Sequence, residues 1–210
     1  TTGDLLADPH VRGRDFWDVI EHPHTGAIEY PGRPFIMSAS PRREPERAPL
    51  LGEHSQVLSA DSVWFDREVR TRPVLTEGMN PNSPPLEGIR IAAATVVWAG
   101  PHVTQLLAEW GAEVIRAEPI TRVLPTTRGA EVVLTKEQLL EMVREGRYEG
   151  RSIGADYPDM DPKDDRWNRT AAFNSHARNK KSMTCDISTP EGRETFLRLA
   201  RVSDVVAENN

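Results

Sequence analysis

The sequence predicts an α/β fold built on an open, mostly parallel sheet, and three observations point to it. Ile89–Val97 is a short apolar run with little alternation, the pattern of a strand buried on both faces. Val103, Leu106, Leu107 and Trp110 then recur at helical spacing, and Glu113–Ala117 reads as a second strand, which completes a strand–helix–strand unit. The same succession returns in Ser182–Ala207, where a strand over Ser182–Ile187 leads through a helix to a fourth strand over Asp204–Ala207.

Taken in chain order, the elements begin with a different texture. Asp15–His22 and Gly26–Tyr30 read as strands joined by a turn at His24–Gly26, and Pro34–Met37 reads as a third, giving a small β-meander. Prolines crowd the first half of the chain, in Pro31–Pro34, Pro41–Pro49 and Pro81–Pro85, where fixed φ and the missing N–H favour turns and edges. Gly52–Leu58 has the look of a helix start. Phe16, Trp17, Ile20, Ile28 and Phe35 are too few for a core and need another surface to pack on. Thr76–Pro85 holds turn formers and almost no large apolar side chain, so a boundary is expected there.

Beyond the boundary, Pro101 suits the first helical position and Gly111 closes the helix. A long excursion over Glu118–Asn174 includes a helix predicted over Lys136–Arg144, capped by Thr135, and an acidic stretch over Asp156–Asp165. Thr189 caps a further helix that Pro190 starts, with Phe196, Leu199 and Ala200 on its buried side. In such a sheet ligands lie beyond the carboxyl ends of the strands, here Trp98–Gly100, Glu118 onward and Glu208–Asn210. No G-x-G-x-x-G follows the first of these strands, so the sheet is Rossmann-like without the dinucleotide fingerprint.

Composition narrows the function. A net charge of −6 over 210 residues argues against a nucleic-acid partner, although Arg178, Lys180 and Lys181 form a local basic cluster. Cys185 is the single cysteine, so no internal disulfide forms, and a reducing cytoplasm is expected. No apolar run approaches the roughly 20 residues that span a bilayer, so no membrane association is expected. His22 and His24 lack a third metal ligand, and the acidic stretch lacks the glycine of a calcium loop.

Two stretches carry a family resemblance. Pro85–Glu118, with AGP ahead of the helix and GAEVI after it, is similar to the amino terminus of the class III CoA-transferases. That family includes formyl-CoA and carnitine CoA-transferases and α-methylacyl-CoA racemase. Phe173–Asn209 resembles the next part of the family in the same order, with RNK, TPEGR and SDVV-x-EN. Asp8–Leu58, with its HP-x-x-G turn, PG-x-PF and PLLGEH, resembles the family's carboxy-terminal region instead. A family tail ahead of a family head implies the junction of a tandem protein: residues 1–58 end a first unit, 59–85 link, and 86–210 begin a second. On that reading the fold is incomplete and the chain is a fragment.

The resemblance implies an enzyme that moves CoA from an acyl-CoA donor to a carboxylic acid acceptor, with CoA as substrate and no permanently bound cofactor. It also implies an interlocked dimer, or an intramolecular pseudo-dimer if two units are fused. The family's nucleophilic aspartate is expected beyond Asn210, which would leave this fragment inactive by itself. Val97, Trp98, Ala99 and Gly100 match the family turn that lies against the pantetheine and thioester, and small residues there let backbone approach a ligand. The same residues would also serve a tight strand–helix turn for packing alone. Asn179 and Lys180 fall in the RNK motif, which is either a phosphate contact or a solvated basic turn. Thr184 matches the stretch that passes the adenine, and Asn209 matches the EN motif. Ala92 and Ala93 replace the usual Leu-Asp, Ser188 a frequent lysine, and Asn210 a common phenylalanine. An acyl-CoA racemase, a CoA-dependent lyase, or a non-catalytic CoA-binding or scaffold unit therefore remain as alternatives.

Overall fold

The computed structural model describes residues 1–56, 82–119, 128, 137–138, 141, 144–145, 163 and 166–209. The expected linker at 59–85 and acidic stretch at 156–165 lie almost entirely outside these residues. Of the helix expected over Lys136–Arg144, the described positions Glu137, Gln138, Glu141 and Arg144 are helical.

The chain opens with two short helices, α1 (Thr2–Ala7) and α2 (Pro9–Gly13), ahead of the first predicted strand. Neither buries a residue, so no apolar periodicity marks them. Their side-chain caps do. Thr1 and Asp4 form a reciprocal capping box, and Asp8 accepts from the His10 and Val11 amides ahead of a first-turn proline.

Strands β1 (Trp17–His22) and β2 (Gly26–Pro31) pair antiparallel with Ile20 opposite Ile28. Gly26 takes the left-handed φ of 73° that the turn requires. The expected third strand at Pro34–Met37 does not form, so the meander is a two-stranded hairpin. Pro31 and Pro34 cannot donate to a ladder. Phe35 instead lies flat on Trp110, with ring centroids 5.2 Å apart. Residues 51–56 are turns rather than a helix start, because Gly52 sits at φ 72° and Glu53 is drawn back to Arg47 and the Leu50 amide.

The main sheet holds β3 (Arg90–Ala94), β4 (Glu113–Glu118), β5 (Lys180–Thr184) and β6 (Val205–Glu208). All neighbours are parallel in the order β5-β4-β3-β6, as the predicted α/β class requires. Every residue of β3 is buried, which explains its unbroken apolar run. One face packs Ala92, Ile115, Ala117, Met183 and Cys185 beneath Leu199 of α5 (Pro190–Arg201). The other packs Ile91, Ala93, Ala112 and Val114 against Ala108 of α3 (Ala99–Glu109). Cys185 is thus a small core residue. The Thr189 hydroxyl caps α5 by accepting from the Gly192 amide at 3.0 Å.

Helix α3 keeps only part of its predicted face, with Trp110 buried and Leu107 packed on the sheet core. It starts two residues before Pro101 and buries Thr104, Gln105, Ala108 and Glu109, while Val103 is 53% exposed. The reason is a polar seam. Gln105 donates to Glu109, Arg178 pairs with Glu109 at 3.3 Å, and Thr104 accepts from Lys180. A turn of 3₁₀ helix (Arg166–Asn168) and α4 (Ala171–His176), both unforeseen, close the face beside it.

The first segment docks on the sheet domain. Ala48 packs with Phe173 and Ala177, Arg178 donates to the Pro31 carbonyl, and the Arg43 amide bonds the Glu109 carbonyl. Of the apolar residues that needed another surface, Phe35 finds it on Trp110.

Candidate functional site

The turn after β3 is built from the sheet outward. Its chain leaves Ala94, buries Thr95, and reaches Val97, which adopts a left-handed φ of 62°. That region is costly for a β-branched side chain, so surrounding contacts must hold it. Asn209, one residue past β6, supplies them. Its Nδ2 donates to the Val96 carbonyl and its Oδ1 accepts from the Val96 amide, both at 2.9 Å.

Gly100 is packed against this contact. A Cβ there would fall 2.4 Å from Asn209 Oδ1 and 2.8 Å from Thr95 Cβ, distances no side chain tolerates. Helix α3 begins at Ala99 with no side-chain cap from Trp98, so its positive end is left open toward the turn. Trp98 is 58% exposed and sets its indole edge-on to His176, with centroids 4.8 Å apart. Burial lowers the proton affinity of His176, whose Nδ1 lies 2.9 Å from the Ala172 carbonyl oxygen.

The eight residues singled out in the sequence divide by placement. Val97, Trp98, Ala99, Gly100 and Asn209 converge on this turn. Thr184 is exposed at the last position of β5, beside Glu118 of β4. Asn179 and Lys180 lie at the other end of β5 and point inward. Asn179, at φ 57°, accepts from the Glu46 amide through Oδ1, and its own N–H donates to the Glu46 carbonyl at 3.3 Å. Lys180 is buried, its Nζ donating to the Pro101 carbonyl at 2.7 Å and to Thr104 Oγ1 at 2.8 Å. Burial first, then Arg116, holds its ammonium well below the usual lysine range.

Sequence reasoning missed a buried ionic cluster on the other strand ends. Glu118 Oε1 accepts from Arg128 Nε at 2.9 Å and from the Ser182 hydroxyl, and Arg116 lies 3.7 Å from its second oxygen. Arg128 also donates to Asn168 and to the Pro49 carbonyl, while its guanidinium stacks 3.7 Å from the Phe173 ring centre. Burial pulls both arginines below their usual range, and Glu118 opposes that shift. The available signal was charge at Arg116 and Glu118 within a central strand of the predicted sheet.

A cleft of about 290 Å³ opens between the first segment and the amino ends of β4 and β5, lined by Arg43, Arg47, His54, Glu113 and Lys181 among others. Arg47 chelates Glu53, Lys181 bonds Glu113 at 2.6 Å and Arg43 lies 3.5 Å from Glu46, so each carboxylate of the cleft has a basic partner. Among the described residues, no three metal-binding side chains gather, and no helix is long and apolar enough to cross a membrane.

An open, parallel α/β sheet with a helix on each face belongs to the doubly wound class of folds. The chain belongs to CoA-transferase family III, whose model matches residues 1–55 and 86–210. It is similar to succinate–glutarate CoA-transferase of Agrobacterium fabrum, at 33% identity over 60% of this chain and 25% of that protein. It is similar to succinyl-CoA–D-citramalate CoA-transferase of Chloroflexus aurantiacus, at 34% over 60% of this chain and 23% of that protein. The formyl-CoA:oxalate CoA-transferase of Rhodopseudomonas palustris is 32% identical over 59% of this chain and 22% of that protein. The chain spans about a quarter of the length of these curated relatives. No solved structure gives a significant match.

Proposed function

We propose that these residues carry a CoA-docking part of an enzyme that transfers CoA from an acyl-CoA donor to a carboxylic acid acceptor. One observation carries the reading: in a member of this family, the Val97–Gly100 turn places exposed backbone and the open end of α3 at the carboxyl end of a buried parallel strand. Val97, Trp98, Ala99 and Gly100 are assigned to the pantetheine and thioester. Backbone N–H groups at a helix start favour an anion or a developing oxyanion there. Thr184, exposed at the carboxyl end of β5, two strands from β3, is assigned to the adenine side. Asn179 and Lys180 support the site from beneath, through Glu46 and through Pro101 and Thr104.

The nucleophile is a carboxylate that attacks the thioester carbonyl and expels CoA thiolate, splitting one exchange into successive acyl transfers. It is assigned to none of the aspartates in these residues, and the activity belongs to the whole enzyme rather than to this portion. We assign residues 1–58 to the end of one transferase unit, 59–85 to a link and 86–210 to the start of a second. The two separate matched blocks support this division, as does the docking of the first on the second. An interlocked dimer or an intramolecular pseudo-dimer would use such docking.

Calorimetric titration of the full chain with CoA tests the assignment. Wild type is expected to bind, and Gly100→Ala to bind about tenfold more weakly, as a shift of roughly 1.4 kcal/mol implies. Equal affinity in the two proteins refutes CoA contact at this turn.

A further inference from the structure

The carboxamide of Asn209 turns one N–H and its oxygen toward the backbone rather than outward. Its donor and its acceptor face one residue, Val96, in a reciprocal pair spanning 113 positions of sequence. The pair continues the β3–β6 ladder. Backbone pairing ends with Ala94 opposite Glu208, and the next rung is made by a side chain in place of a strand. That rung lies just ahead of the left-handed Val97 and the start of α3.

Gly100 fits the same contact from the helix side, since a Cβ there would meet Asn209 Oδ1 at 2.4 Å. Three features therefore meet at one place: a side-chain rung, a strained φ and a glycine with no room for a Cβ. Only a side chain presenting donor and acceptor side by side, at this short reach, completes such a rung. Aspartate has the shape but would set a second oxygen against the Val96 carbonyl. Alanine removes both bonds.

We infer that Asn209 is a positioning residue, which fixes the Val96–Gly100 turn and acts on CoA through it rather than by contact. The inference rests on the CoA-docking role proposed for that turn. It differs from a general structural role in where its effect appears: in the geometry of the turn and the affinity for CoA, with little change in global stability.

The test uses the full chain with Asn209→Asp and Asn209→Ala, and three measurements: amide hydrogen exchange resolved over residues 94–103, the thermal midpoint, and CoA affinity by calorimetry. Each variant is expected to exchange the Val96 amide about tenfold faster and to bind CoA about tenfold more weakly, the size of one lost net hydrogen bond. Exchange in the helix-side core at Ala108 stays at the wild-type rate. Wild-type exchange at Val96 in both variants overturns the inference. So does weakened CoA binding with unchanged exchange, which would make Asn209 a direct contact. Wild-type protein that fails to bind CoA sinks the docking proposal instead, and the exchange measurement still decides whether Asn209 fixes the turn.

Discussion

Replacing Asn179 separates two forces that hold the first segment to the sheet. The residue is 4% exposed, sits at φ 57°, and accepts the Glu46 amide through its side chain. Alanine at that site loses one net hydrogen bond, about 1 kcal/mol. It also takes a left-handed conformation without local side-chain support, a further 1–2 kcal/mol or so. Loss of the buried Asn179 Nδ2, which has no partner, returns part of this. The expected cost of Asn179→Ala is therefore about 2 kcal/mol. Asn179→Gly loses the same bond but keeps the φ at no steric cost, offset by the extra freedom of the unfolded chain. The glycine variant should be the more stable of the two by about 0.5–1 kcal/mol, the reverse of the usual order. Urea unfolding with a common m-value measures both differences. Alanine equal to or better than glycine refutes the claim that the left-handed backbone is strained here.

Acid should loosen the same docking. His22 is buried, its Nδ1 accepts from the His24 amide, and its pKa is pushed down to about 4, chiefly by burial. The unfolded chain takes up a proton near 6.5 and the folded one only near 4, so stability falls as pH drops through that window. The loss is up to about 3 kcal/mol. His54, lowered by burial and accepting from the Ser182 amide, acts in the same direction. A thermal midpoint that stays flat from pH 7 to 4.5 contradicts this. Lys180→Met should destabilise by about 1–2 kcal/mol through two lost bonds, with the salt dependence of CoA binding unchanged. A shallower salt slope in a CoA titration would place Lys180 on a phosphate. Glu118→Gln leaves two buried guanidinium groups without their carboxylate and should cost about 3–5 kcal/mol in denaturant unfolding. A loss under 1 kcal/mol would show that the cluster is not held by charge.

The two central strands were legible because they are buried on both faces, and Ile89–Val97 carries the near-continuous apolar run that such burial produces. Helix α5 was legible through Thr189 and Pro190, a local cap that needs no tertiary knowledge. The face of α3 was legible only at Leu107 and Trp110, because periodicity follows apolar side chains, whereas Thr104, Gln105 and Glu109 are buried by partners on α4's flank and β5. The third strand of the meander failed for a related reason. Phe35 found Trp110, 75 positions away in the chain, and no local pattern announces such a contact. At the candidate site, the turn itself was visible as small residues between strand and helix. The Asn209 rung and the inward turn of Lys180 depend on side-chain direction, which spacing alone does not fix.

The most direct test of the CoA-docking turn is hydrogen exchange of the full chain with and without saturating CoA, resolved to short peptides. The account predicts protection concentrated over residues 95–103 and at the end of β5 near Thr184. Protection confined to the cleft between Arg43, His54 and Lys181, or none at all, would contradict it.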